Sequence, residues 1–374
     1  MTVDFDLRSN FVQIINGKSS PTEFTRHGLN PATLEVLPED RKKAVLAYAD
    51  AIDEYSDQFR DLLITEQGKP IFQATLETNN AINWIRGMAS LPLIEDVIED
   101  DETRTVITRH VPPSVIGAIV PWNFPLMLAT GKIAPALLTG NVIIVKPSPF
   151  TPYGGLKLVE LAQKFFLPVV VQSLGGDDNL GPWLTSHPGI DKISFTGSTA
   201  TGKRVLQSAS GTLKRVTLEL GGNDPAIVFP DVDIEKVAEK RIYVHSSIFE
   251  KFRDALVRQV ESYTVGDGFK AGISHGPLQN DMRYSRVKTF FDDIEKQGWK
   301  VATGGRIEPS YGYMVTPTII DRPPDNSRIV VEEPFGPIVP LLSWDDEAKV
   351  IERANNTSMG LGASIWTADL DRVA

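Results

Sequence analysis

The stretch Ser194-Phe195-Thr196-Gly197-Ser198-Thr199-Ala200-Thr201-Gly202-Lys203 decides how this chain folds. It leaves an apolar strand (Ile193–Phe195), turns on a glycine and enters a helix. Free N–H groups and the positive end of the helix dipole then face any phosphate held at the turn. Gly197 permits close backbone approach, and the Ser198 hydroxyl adds a donor. Gly197 through Lys203 also has the G-x-x-x-x-G-K spacing of a phosphate loop, but Arg204 stands where that motif needs a Ser or Thr for magnesium. A turn kept only for packing is the remaining alternative.

Working outward, short and almost wholly apolar runs recur at Val115–Val120, Val142–Val145, Val169–Val171 and Ala226–Phe229. Runs of this kind are strands covered on both faces, the habit of parallel sheets. Helical segments such as Leu126–Leu138 and Gly155–Phe166 separate them, so strand, helix and strand alternate in an α/β, doubly wound sheet with right-handed crossovers. Upstream, Val45, Tyr48, Ile52, Tyr55 and Phe59 step by three and four along one helix over Asp40–Phe59. Asn79–Met88 is helical, and Thr103–Pro113 alternates toward a Pro-Pro as an exposed hairpin or arm. After Leu218-Glu219-Leu220-Gly221-Gly222 the pattern restarts: an acidic helix start (Asp231–Lys240), a strand (Arg241–His245), then a helix with Phe249, Phe252, Leu256 and Val260 on one face. A domain boundary is expected near Gly222.

The chain has 374 residues, too many for one ordinary core. Its formal charge is −10, from 38 basic and 48 acidic residues, which argues against nucleic-acid and anionic-membrane partners. The acidic first ten residues do not read as a signal peptide and no run is long enough to span a bilayer, so a cytoplasmic protein is expected. There is no cysteine, hence no disulfide framework and no thiolate metal site, and the five histidines show no ligand spacing. H-E-x-x-H and G-x-S-x-G are absent. No metal is expected.

Candidate chemistry lies in three further places. Pro121-Trp122-Asn123-Phe124-Pro125 follows a strand, and the Asn123 amide can donate to a developing oxyanion, although a rigid turn with Trp122 in the core explains the prolines equally. Lys146 ends a strand, where open parallel sheets bind ligands, but a lysine alone there is commonly solvated, and the same applies to Lys132 on its helix. Glu219 beside its glycines is a general-base candidate, or simply a solvated carboxylate.

In their order, Pro121-Trp122-Asn123-Phe124-Pro125, Val145-Lys146-Pro147-Ser148, Phe195-Thr196-Gly197-Ser198-Thr199, Leu218-Glu219-Leu220-Gly221-Gly222 and Glu332-Glu333-Pro334-Phe335-Gly336-Pro337 resemble the successive signatures of the NAD(P)-dependent aldehyde dehydrogenase superfamily. Glu66-Gln67-Gly68-Lys69-Pro70 and Asn30-Pro31-Ala32-Thr33 support the likeness. The resemblance implies a Rossmann-like dinucleotide-binding domain (1–102 and 114–222), an oligomerisation arm (103–113) and a second α/β domain of catalytic type (223–374). It implies that Asn123 holds the oxyanion, Glu219 activates the deacylating water and Lys132 belongs to a proton path. Ile119, Trp122, Lys146, Gly181, Gly197, Ser198, Leu220, Glu333 and Phe335 would line a site for NAD or NADP. An aldehyde would be the substrate, and homo- or hetero-oligomers with family members are implied.

The chain departs from that pattern in several places. Lys240 runs straight into Arg241, where the family carries about one and a half dozen residues ending in a Gly-Gln-x-Cys-type signature with the nucleophile. Pro38-Glu39 joins Asp40-Arg41 where relatives carry an extra helix. Ala374 falls before the family's closing segments. Pro149 replaces the glutamate that binds the adenosine ribose in many relatives, which leaves NAD and NADP both open. Without a thiol the covalent route is closed, since a serine hydroxyl needs an adjacent base that no serine here displays. The chain as written is therefore predicted to oxidise no aldehyde. Three readings follow: a family enzyme whose working form is longer, a folded pseudoenzyme that binds dinucleotide or partners an active paralogue, and a truncated product.

Overall fold

The computed structural model describes residues 13–15, 18–20, 38–234, 242–307 and 311–372. Asn30–Thr33 and the Lys240–Arg241 junction lie outside these residues, as does most of the expected Asp231–Lys240 helix. The chain forms two compact units, one of residues 1–67 with 71–219 and one of residues 68–70 with 220–374. The division falls after Glu219, slightly before the Gly222 expected from sequence.

The first unit opens with β1 (Gln13–Ile15) and β2 (Lys18–Ser20), then α1 (Pro38–Glu54), α2 (Ser56–Gln67) and α3 (Ile71–Ser90). The single helix expected over Asp40–Phe59 is in fact two, because the chain turns at Tyr55 while the apolar stripe runs on across the break. The Pro38–Arg41 junction lies in the first turn of α1, where a proline is tolerated. β3 (Asp96–Asp100) and β4 (Thr105–Thr108) form an antiparallel hairpin of their own. It begins seven residues before the expected Thr103 start, since the acidic run Glu95–Asp101 hides the alternation of its first strand. Val97, Ile98, Val106 and Ile107 are all exposed on it.

There follow β5 (Val115–Ile119), α4 (Pro125–Leu138), β6 (Val142–Lys146), α5 (Tyr153–Ala162), β7 (Val171–Ser173), α6 (Leu180–Ser186), β8 (Lys192–Thr196), α7 (Thr199–Ser210) and β9 (Arg215–Glu219). The strand expected over Val169–Val171 starts two residues later, because Val169 adopts a left-handed φ of 74° that no strand accepts. The sheet order is β2-β1-β7-β6-β5-β8-β9. β7 through β9 pair in parallel, and β1 and β2 add an antiparallel edge. The chain leaves β5 toward β6 on one side and reaches β8 on the other, so the order reverses there. That switch point is where open α/β sheets bind ligands. Buried α4, packed through Leu126, Ala129, Ile133 and Leu137, covers one face next to it.

The second unit contains β10 (Ala226–Val228), β11 (Ile242–His245), α8 (Phe249–Glu261), α9 (Asp281–Gln297), β12 (Val301–Thr303), β13 (Thr318–Asp321), α10 (Arg328–Val331), β14 (Ile338–Trp344), α11 (Glu347–Asn355) and β15 (Ser364–Trp366). Its sheet runs β12-β13-β14-β11-β10-β15, parallel except at β12. Phe249, Phe252 and Leu256 of α8 pack with Val228, Ile242 and Val244 as the sequence pattern anticipates. Among the described residues no helix is long and apolar enough to cross a membrane.

Candidate active site

In the first unit, the face of β8 that carries Lys192, Ser194 and Thr196 runs beside Thr217 and Glu219 of β9, with Ser194 opposite Thr217 and Thr196 opposite Glu219. Period-two alternation sends this polar row to one face and Ile193 and Phe195 to the other, where they are buried. Lys132, in the middle of α4, reaches over the row. Its Nζ donates to Ser194 Oγ at 3.1 Å and to Thr196 Oγ1 at 2.8 Å, and Thr196 Oγ1 donates on to Glu219 Oε2 at 2.9 Å. Lys132, expected to be solvated if it had no function, is only 9% exposed. Burial lowers its pKa to about 8, opposed by the negative charge of Glu219 and reinforced by Lys192. Glu219 itself is exposed. Ammonium, hydroxyl and carboxylate thus form one hydrogen-bonded line, along which a proton can be handed.

Asn123 stands in the loop just before α4. Its Oδ1 is buried and has no hydrogen-bond partner among the described residues. One buried and one half-buried carboxylate anchor this region: Glu77 of α3 accepts from the Leu126 and Met127 N–H groups at the start of α4, and Glu66 accepts from Tyr153 and Gly154 N–H at the start of α5. Burial raises the Glu66 pKa to about 7 against the pull of those two N–H donors.

At the switch point, Ser198 caps α7 by accepting from Thr201 N–H at 3.3 Å. The first turn of α7 offers further N–H groups that lack intrahelical acceptors. Gly197 N–H donates to the Glu219 carbonyl, which ties the turn to β9. A Cβ at Gly197 would lie 2.6 Å from Phe195 Cζ, so the bare backbone is required. Lys203 is exposed in mid-helix, which sets aside the phosphate-loop alternative. Ile119 ends β5 and is buried, Trp122 is half-buried in the following loop and Gly181 sits in the first turn of α6. Lys146, at the end of β6, is 6% exposed, and among the described residues its Nζ makes one long bond at 3.3 Å to the Pro147 carbonyl. An ammonium has three donors. Burial lowers its pKa, with Asp178 and Asp177 opposing. A ribose hydroxyl or a phosphate oxygen answers both needs, so these residues fit a dinucleotide.

In the second unit, Leu220 begins the longer segment and a Cβ at Gly221 would lie 2.6 Å from Glu333 Oε2. Phe335 holds a left-handed φ of 49°, and the Arg283 guanidinium lies 4.8 Å from its ring centroid. Such a conformation in a non-glycine residue costs energy and clusters at ligand sites. Lys132 and Glu219 thus meet through Thr196 in the first unit, and Gly221 lies against Glu333 in the second. Sequence reasoning missed Glu77, Trp84, Ser194 and Thr196. The last two were legible as alternate positions on the Ile193–Phe195 strand facing the same way as Lys192. Glu77 and Trp84 sit on α3, 40 to 50 residues from α4, and nothing local marks them.

The model of the aldehyde dehydrogenase family matches residues 30–374. The chain belongs to that family. It is 39% identical to aldehyde dehydrogenase LUC3 of a Fusarium species over 410 aligned positions, covering 97% of this chain and 87% of the relative. It is 33% identical to GabD, the NADP-dependent succinate-semialdehyde dehydrogenase of Escherichia coli, across 92% of this chain and 76% of that one. Among solved structures, the NAD+ complex of an aldehyde dehydrogenase from Bacillus cereus superposes with a TM-score of 0.87 at 33% identity, covering 92% of this chain and 74% of that one. The fold is that of an aldehyde dehydrogenase, and the cofactor of the family is NAD or NADP.

Proposed function

We propose that this chain takes up NAD or NADP as its family does, and that without a longer segment it does not complete the family reaction, the oxidation of an aldehyde to a carboxylic acid. The observation that carries this reading is a mismatch. Asn123, in the loop before α4, and the Lys132–Thr196–Glu219 line are kept, yet the chain has no cysteine. The Asn123 Nδ2 amide would donate to the carbonyl oxygen and Glu219 would take a proton from water, with Lys132 handing a proton along the line. Ile119, Trp122, Lys146, Gly181, Gly197, Ser198, Leu220, Glu333 and Phe335 would bind the dinucleotide, which supplies the hydride acceptor. The step that needs a thiolate has no cysteine to perform it.

Two measurements test this. Purified chain is expected to give no NADH or NADPH from a panel of aldehydes above a Glu219→Gln control, and steady production above that control refutes inactivity. NAD or NADP at about 100 times its dissociation constant should raise stability by roughly 2.7 kcal/mol, and an unchanged melting temperature with both refutes binding. A second reading, a longer working form with a cysteine-bearing segment between Lys240 and Arg241, is favoured by the retention of Glu219 and Asn123. The intact mass of the protein from its source, compared with 41.2 kDa, decides it. Association with another family member belongs to the same proposal and is supported by the exposed apolar residues of the β3–β4 hairpin.

A further inference from the structure

Lys146 ends β6, and the segment that follows β7 passes next to it. Val145 pairs with Ser173, and the Val145 carbonyl accepts the Leu174 N–H at 2.9 Å, so residues 174–179 leave β7 directly beside the end of β6. This stretch reads Leu174-Gly175-Gly176-Asp177-Asp178-Asn179 and sets two adjacent carboxylates at a turn. All of it belongs to the first unit, on the side where the parallel strands finish and ligands bind.

The two carboxylates differ in what they already hold. Asp177 is engaged: its Oδ1 accepts the Asn179 N–H at 3.0 Å and its Oδ2 accepts the Asn179 side-chain amide at 3.1 Å. Asp178 is exposed, and among the described residues its side chain makes no hydrogen bond and no ion pair. Lys146 is the reverse, only 6% exposed. The charges that act on its ammonium are those of Asp178 first and Asp177 second. A free carboxylate thus stands near a buried ammonium that has donors to spare.

This arrangement separates two ligands that differ by one group. NAD and NADP are alike except for the 2′-phosphate on the adenosine ribose of NADP. A ribose diol offers hydroxyl hydrogens to a carboxylate and oxygens to an ammonium, so Asp178 and Lys146 together answer it. A 2′-phosphate carries about two negative charges and would meet two carboxylates against one ammonium. In dinucleotide-binding sheets a carboxylate takes the ribose 2′-hydroxyl, whereas an arginine accommodates the 2′-phosphate. Residues 174–179 contain no cationic side chain.

We propose that Asp178 makes this chain select NAD over NADP, by accepting a hydroxyl of the adenosine ribose beside Lys146 and repelling a 2′-phosphate. The inference rests on the dinucleotide reading above and goes beyond it by choosing between the two cofactors.

The test is calorimetric titration of the whole chain with NAD and with NADP, in wild type and in two variants checked for folding by circular dichroism. Wild type is expected to bind NAD at least ~10-fold more tightly than NADP, because like charges are brought together in the second complex. Asp178→Asn keeps the shape and an acceptor but drops the charge. It should tighten NADP by about tenfold and weaken NAD by no more than about threefold. A residue that merely shaped the loop would shift both cofactors together. Asp178→Lys should reverse the preference. Wild type that binds both cofactors alike overturns this inference and leaves the dinucleotide reading standing. An unchanged NAD-to-NADP ratio in Asp178→Asn, or a parallel shift of both, also overturns it alone, as does an NAD preference retained in Asp178→Lys. Wild type that binds neither cofactor sinks the dinucleotide reading and this inference with it.

Discussion

Glu77 Oε1 accepts the Leu126 N–H at 2.9 Å from a neighbouring helix, so a buried carboxylate of α3 closes the N-terminus of α4. The Met127 N–H joins it at 3.3 Å. Phe124, at the N-cap position, provides no side-chain cap, so a residue far away in sequence does that work. The negative charge also meets the positive end of the helix dipole.

Glu77→Ala should accordingly destabilise the first unit by about 2 kcal/mol, the cost of leaving two buried donors unanswered. Glu77→Gln, which keeps an acceptor and loses the charge, should cost about half of that. Urea unfolding midpoints measure both. A Glu77→Ala midpoint within error of wild type would show that water caps α4 equally well.

Lys132 gives a pH dependence with a definite sign. Its pKa is lowered from 10.5 to about 8 in the folded chain. Between those values the unfolded chain holds a proton that the folded chain has released, so stability rises with pH across that window. Below about 8 both states are protonated, and the cost of burying the ammonium is present in full. The stability of wild type relative to Lys132→Met should therefore climb from pH 8 upward, by at most about 1.4 kcal/mol per pH unit. A difference that is flat or falling from pH 7.5 to 9.5 would contradict the burial of this amine.

Gly197→Ala brings a Cβ to 2.6 Å from the Phe195 ring, which is itself packed in the sheet. The ring or the turn must shift. Strain of this kind costs about 1–3 kcal/mol, and it falls on the turn that opens α7. The variant should melt lower and lose the stabilisation that NAD or NADP confers. Full retention of that stabilisation would place the phosphates elsewhere.

Much of the architecture could be read before the structure was known, because parallel strands advertise themselves as apolar runs. Ile193–Phe195 and Val142–Val145 needed only hydrophobicity to be placed. Tyr55 and Val169 were misjudged for a local reason: a turn or a left-handed φ overrode an apolar pattern that was otherwise continuous. The candidate site was legible where function left a motif, as at Asn123 and Glu219. It was opaque where a side chain works across helices. Glu77 looks like any helix glutamate, and its buried role arises only when α3 and α4 pack together. Lys132 and Lys146 looked like solvated lysines for the same reason, since burial is a property of the assembled fold.

The pairing of β10 with β11 carries a last consequence. They lie side by side in parallel, Ala226 opposite Ile242 and Val228 opposite Val244, and residues 229–241 connect them. Parallel neighbours require about a dozen residues or more for the return journey, so this tether is near its minimum. Lengthening it is thermodynamically mild, because each doubling of a flexible loop adds only about 0.6 kcal/mol of closure entropy. A peptide spliced in after Lys240 would therefore leave the strand ladder standing. A longer, thiol-bearing connection at this point is compatible with the β10–β11 ladder.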